Sequence, residues 1–249
     1  MKKWTIKTIE QQERDKQQLA LYARIDKEAY FHNLQLINKL NGVETYSEVI
    51  EADRICSGTN ELKLIKDPID GTFDAEHLKQ IHKVLFQDIY YFAGDYRDVD
   101  MEIDSITRFT PARRLQAESD RIFNKLREDN FLKGLGKTEF CDKLAIFMTE
   151  LNKLHPFREG NGRSKRIFIG QLAQNAGYVL DWTAVSASEW KYADECAFDS
   201  ARDYGQADMT YLKINLDKAT KHKVMSIDEF LTLDPKICLK ESNMVSEME

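Results

Sequence analysis

FCDKLAIFMTELNKLHPFREGNGRSKRIFIGQLAQN, Phe140 to Asn175, decides the fold, because two apolar-striped segments flank a short turn that carries glycine. Phe140, Leu144, Phe147, Met148 and Leu151 recur three and four residues apart and therefore share one face of a helix. That helix is expected at the centre of the core. It runs into HPFREGNGRSKR, His155 to Arg166, and a second helix is expected from Arg163 to Asn175.

The same spacing extends on both sides of this stretch. Leu78, Ile81, Leu85 and Ile89 predict one further helix, and Leu115, Ile122 and Leu126 predict another after Pro111, a residue tolerated in a first helical turn. Ser186 and Glu189 make a capping box for a helix through Trp190 and Ala193. Only 4 prolines and 11 glycines punctuate 249 residues, so the expected fold class is all-α, a helical bundle. One β element is expected: Tyr96 to Thr110, YRDVDMEIDSITRFT, alternates β-branched and polar residues around Asp104 and Ser105, as a short exposed hairpin does. Glu10 to Asn41 reads as a separate helical unit stopped at Gly42, and the chain after Pro235 is polar. Residues 1–55 are thus expected as an amino-terminal helical extension, 56–215 as the core, and 216–249 as a carboxyl-terminal helix and polar tail.

Composition narrows the function. Lys plus Arg number 36 against 42 Asp plus Glu, a net charge of −6, which lacks the broad basic footprint of a nucleic-acid binder. No run of apolar residues is long enough to predict a membrane span, and the polar start offers no secretion signal. Cys56, Cys141, Cys196 and Cys238 form no CxxC pair and read as reduced thiols. A cytoplasmic protein is expected, or one delivered into a host cell as an effector.

The chemistry concentrates between His155 and Arg166. Gly160, Asn161 and Gly162 permit a tight turn whose N–H groups converge on one centre, and the helix that follows adds its own unpaired N–H groups and positive dipole end. Such a nest suits phosphate. Arg163 and Arg166, three apart, are expected to reach phosphate oxygens on one ligand. Glu159 at the mouth of an anion site implies a cation between carboxylate and phosphate, and Mg²⁺ binds in this way. His155 stands at a helix exit with an imidazole whose ordinary pKa suits proton abstraction near neutral pH, and Phe157 reads as an anchor into the core. A base, a carboxylate, a glycine nest and two arginines within this stretch make a set for phosphoryl or nucleotidyl transfer.

These residues resemble the Fic family, whose motif HxFx(D/E)GNGRxxR is matched by His155, Phe157, Glu159, Gly160, Asn161, Gly162, Arg163 and Arg166. GTNELK from Gly58, HKVLFQDIYYFAGDYR from His82 to Arg97, and FTP from Phe109 to Pro111 extend the similarity over about Gly58 to Tyr211. The resemblance implies a Fic fold, and a protein adenylyltransferase in which His155 deprotonates a Ser, Thr or Tyr hydroxyl that attacks the α-phosphorus of ATP. It further implies that Glu159 holds Mg²⁺, that Gly160, Asn161 and Gly162 line the phosphate site, and that Arg163 and Arg166 contact the outer phosphates. Asp98, Val99, Asp100, Met101, Glu102, Ile103 and Phe109 would belong to a flap that pairs with the target backbone.

Members of this family also resemble one another in an inhibitory helix carrying (S/T)xxxE(G/N), whose glutamate pairs with the second arginine. Ser47 and Glu51 have that spacing, although Ala52 stands where the pattern wants Gly or Asn. Otherwise the inhibitory helix would come from a small antitoxin partner, or the amino-terminal unit would fold against the core for another purpose. The alternatives to AMP transfer are another nucleotide or phosphate donor, removal of AMP from modified proteins, and a nucleotide-binding module without turnover.

Overall fold

The computed structural model describes residues 5–22, 39–43, 45–101 and 109–222. Among them are eight α-helices: α1 (Ile9–Tyr22), α2 (Tyr46–Lys66), α3 (Ala75–Phe86), α4 (Leu115–Glu128), α5 (Lys137–Leu154), α6 (Asn161–Asn175), α7 (Ala187–Tyr204) and α8 (Thr210–Ala219). Two short antiparallel pairs accompany them, β1 (Thr5–Ile6) with β2 (Leu40–Asn41), and β3 (Tyr178–Leu180) with β4 (Thr220–His222). The fold is mostly helical, as the periodicity predicts, and no described helix is long and apolar enough to cross a membrane.

The Phe140 stripe does form the centre. Phe140, Leu144, Met148 and Leu151 on α5 are buried, and α5 packs against α4, α7 and α8. Phe168 on α6 enters the same core, meeting Phe123 of α4 edge-on at 5.7 Å between ring centroids. α6 in turn lies on α3 and touches α2. α5 stops at Leu154 because Pro156 disfavours the helical region for the residue before it, and His155 turns into the left-handed region at φ 42°.

Two expectations are changed by pairing that local sequence does not reveal. Leu40 and Asn41, read as the end of a helical unit, are strand β2, held by β1 and by the neighbouring bond from the Lys39 N–H to the Ile89 carbonyl (2.7 Å). Residues 23–38 of that unit, and the tail from 223 onward, lie outside the described residues. Tyr178–Leu180 is a second β element beyond the single hairpin expected, its register set by Thr220–His222 more than 30 residues later. The divisions after residues 55 and 215 fall inside α2 and α8.

α2 has no single apolar face to mark its full length: Val49, Ala52 and Leu64 are buried, while Ile55, Leu62 and Ile65 are exposed. It starts at a Thr45–Glu48 capping box. Asn60, from the GTN block, pins α2 to the end of α3 by donating to the Leu85 carbonyl (3.4 Å) and to Asp88 Oδ2 (2.8 Å).

Candidate active site

The loop from His155 to Gly160 is closed by its own side chains. The Asn161 amide clamps Phe157, accepting from its N–H at 2.9 Å and donating to its carbonyl at 2.8 Å. Phe157 is buried, and its ring stacks on His82 of α3 with centroids 3.8 Å apart. Gly94 N–H donates to His82 Nδ1 at 2.8 Å, which leaves the ring proton on Nε2 to donate to the Glu159 carbonyl at 3.0 Å. Gly160 has φ +80°, and a Cβ there would run into the Phe86 ring. Gly160→Ala is therefore expected to cost several kcal/mol, from backbone strain of roughly 1–3 kcal/mol plus overpacking of roughly 1–3 kcal/mol; urea unfolding measures it.

His82 is fully buried, and burial, reinforced by the charge of Arg163, pulls its pKa from 6.5 to about 4. Because the unfolded chain binds this proton below 6.5 and the folded chain does not, stability rises with pH between about 4 and 6.5 and is lost as pH falls through that window. The single histidine contributes on the order of 3 kcal/mol to that slope. Urea midpoints measured at pH 7.5 and pH 4.5 should differ in this direction; equal midpoints would contradict the buried neutral ring.

The two arginines, expected side by side, diverge. Arg163 turns toward α2: its guanidinium makes a bidentate ion pair with buried Asp53, donates to Ser57 Oγ at 2.7 Å, and lies 4.6 Å over the Phe86 ring. Tyr90 donates to the same carboxylate at 2.7 Å. Three residues on, Arg166 is exposed and lines a cavity, with no hydrogen bond or ion pair among the described residues. The Asn161 side chain is spent on the Phe157 clamp, which leaves its N–H for the phosphate site. Glu51 is exposed and makes no pair with Arg166, and Ser47 contacts Thr45 Oγ1 at 3.1 Å. Two residues separate Glu51 from Asp53, about 200° around α2 at 3.6 residues per turn, so the face toward the motif carries Asp53 and Ser57 instead.

The cavity, about 540 Å³, is walled by His155, Gly162, Arg166, Phe109, Trp182 and Trp190, among others. At its rim α6 begins without a side-chain cap, and its first intrahelical bond there is Ser164 N–H to Gly160 O (3.0 Å). The N–H groups of Asn161, Gly162 and Arg163 are therefore left for a ligand, and the glycine leaves them uncovered. Lys165 adds positive potential from below, tied to Asn152 and to Asp194 at 2.9 Å. The His155 ring stacks on Phe109 with centroids 3.9 Å apart, and neither ring nitrogen has a hydrogen bond among the described residues. Burial, with the charges of Arg97 and Lys165, brings its pKa down to about 3, so the free protein presents a neutral imidazole to the cavity at pH 7.

Glu159 lies beside the nest. Its Oε1 accepts from the Gly160 N–H at 2.9 Å and stands 3.6 Å from Arg163. No group of three or more metal-ligating side chains occurs among the described residues. A single carboxylate at a phosphate nest fits Mg²⁺ that arrives with phosphate oxygens and water, and does not fit a metal held by protein alone.

At the flap, the Phe109 N–H bonds to the Met101 carbonyl (3.2 Å), and Asp100 accepts from the Ala112 N–H (2.7 Å). Asp98 pairs with Arg158, and Val99 accepts from Arg97 at 2.7 Å. Glu102 and Ile103 lie outside the described residues. Sequence reasoning assigned no role to His82, Asp53, Arg97, Arg158 or Lys165. The available signal was a charged or polar residue in otherwise apolar surroundings, as with His82 and Arg97 in HKVLFQDIYYFAGDYR.

The chain is similar to known proteins. Residues 72–173 match the Fic/DOC family. Protein adenylyltransferase VbhT of Bartonella schoenbuchensis is 33% identical over 192 residues, which are 76% of this chain and 39% of that protein. The Salmonella typhimurium protein named "Probable protein adenylyltransferase Fic" is 40% identical over 119 residues, 48% of this chain and 59% of the relative. The chain thus spans less than two thirds of either relative's length. The crystal structure of the translocated effector BepC of Bartonella tribocorum, with bound AMPPNP, superposes with TM-score 0.64 at 25% identity, over 75% of this chain and 92% of that one.

Proposed function

Since this chain belongs to the Fic/DOC family through residues 72–173, we propose that it transfers AMP from ATP to a side-chain hydroxyl of a target protein and releases pyrophosphate. The observation that carries the reading is the juxtaposition, around one cavity, of the uncapped start of α6 with an imidazole and an Arg166 guanidinium that have no hydrogen-bond partner among the described residues. The names of the relatives and the AMPPNP bound to BepC support it.

In this reading the triphosphate lies across the start of α6, its oxygens taking the N–H groups of residues 161–163 and the guanidinium of Arg166. Glu159 would hold Mg²⁺, which when bound neutralises phosphate charge. His155 accepts the proton of the incoming hydroxyl; the hydroxyl oxygen bonds to the α-phosphorus, and the bond from that phosphorus to the bridging oxygen breaks, with the electron pair leaving on pyrophosphate. Negative charge from the triphosphate raises the His155 pKa from its low resting value, which strengthens it as a base only when ATP is present. Arg163 acts at one remove, locking α6 to α2 through Asp53. The flap presents the target segment by strand addition.

Purified protein with Mg²⁺, a cell extract and ATP labelled at either the α or the γ phosphate tests this. Label from the α position alone is expected on protein. Transfer of the γ label would indicate phosphorylation, and saturable ATP binding with neither transfer would indicate a binding module.

A further inference from the structure

Arg97 is almost wholly buried, 3% exposed, yet it faces no carboxylate within ion-pairing distance among the described residues. Its charge is spread over carbonyls instead. Nε donates to the His155 carbonyl at 2.8 Å, Nη1 to Val99 at 2.7 Å, and Nη2 to Thr110 and, at 3.4 Å, to Leu154. Its own N–H donates to the Pro156 carbonyl at 2.8 Å. The fork therefore joins the segments on both sides of the flap, at Val99 and Thr110, to the end of α5 and the first residues of the catalytic loop. The linkage is reciprocal, because Arg158 of that loop reaches back to Asp98. It is also reinforced by Thr110, whose N–H and Oγ1 both donate to the Lys153 carbonyl, at 3.0 and 3.1 Å.

A buried cation without an anionic partner is costly, and capping one helix end would need only a glycine or water. A planar fork able to satisfy carbonyls of several segments at once is what a joint requires, and lysine lacks it. The segments so joined hold the two stacked rings, Phe109 next to Thr110 and His155 at φ 42°, a conformation that a residue with a Cβ keeps only under external restraint.

We propose that Arg97 is a positioning residue that ties both ends of the flap, at Val99 and Thr110, to the His155 loop, so that a target segment seated between those ends fixes the place of the imidazole. The kinetic consequence rests on the transfer reading above; the mechanical claim does not.

Arg97→Lys and Arg97→Ala in the full chain separate the two. Both are expected to leave the Kd for Mg-ATP, measured by calorimetry, unchanged, and to slow label transfer about 10- to 100-fold, the scale of a misplaced catalytic group. In protein carrying ¹³C-labelled histidine, the His155 ring signal, assigned with His155→Ala and shifted upfield by Phe109, should move downfield in both variants. Exchange of the Thr110 amide should accelerate. Should either variant fail to fold, Asp98→Asn, which loosens only the exposed side of the reciprocal link, is expected to move the same signals by a smaller amount. An unmoved His155 resonance with a wild-type transfer rate, or full recovery by lysine, would overturn the proposal. Absence of transfer by the wild-type protein would remove the adenylyltransferase reading, and the resonance and exchange measurements would still decide the role of Arg97.

Discussion

His155→Ala abolishes label transfer from α-labelled ATP while leaving Mg-ATP binding intact. The ring makes no hydrogen bond among the described residues, so its removal orphans no polar partner and takes away the stack on Phe109. The phosphate-facing groups, the N–H donors at the start of α6 and Arg166, are untouched. Loss of a positioned general base slows such reactions by roughly 10²- to 10⁴-fold, which places the variant below detection in a labelling assay. Calorimetric titration with Mg-ATP should give a wild-type Kd. Undiminished transfer by the variant would rule out the imidazole as the base, and lost binding would mean that the ring supports the nucleotide site instead.

Asp53→Ala is expected to have the largest effect on stability. The carboxylate is 4% exposed and satisfies the half-buried Arg163 guanidinium and the buried Tyr90 hydroxyl. Burial and the adjacent carboxylate push the Tyr90 pKa well above its ordinary value, so the phenol stays protonated and needs an acceptor. Removing one partner of a fully buried pair costs roughly 3–5 kcal/mol, and Arg163, whose side chain is 23% exposed, keeps some access to water. Ser57 and, at 3.6 Å, Glu159 still attend Arg163, which places the loss toward the lower end of that range. Urea unfolding of Asp53→Ala, of Arg163→Met and of the double variant closes a cycle in which the double loss should be well below the sum of the single losses. A loss below about 0.5 kcal/mol, the level of an ordinary surface change, would mean that Arg163 does not depend on α2.

The same cluster shows where sequence reasoning stopped. Spacing of three placed Arg163 and Arg166 together, and helical geometry does place such residues near one another. Long side chains on neighbouring positions can still point to different partners, and Asp53, 110 residues earlier, draws Arg163 away. Ser47 and Glu51 matched a local pattern, whereas the residues that α2 turns toward the motif are Asp53 and Ser57. Leu40 and Asn41 continued an apolar period but became a strand through a partner at Thr5–Ile6.

The amino-acid order alone determined the helical class, the core stripe of α5, the stop at His155–Pro156 and the turn at Gly160, because each depends on sterics and periodicity within a few residues. Only the tertiary structure decided which cation stays open to a ligand, which acid holds the other, and how far burial lowers the pKa of His82 and His155. Those outcomes follow from desolvation and from contacts between residues tens to a hundred positions apart, and neither quantity exists until the helices pack.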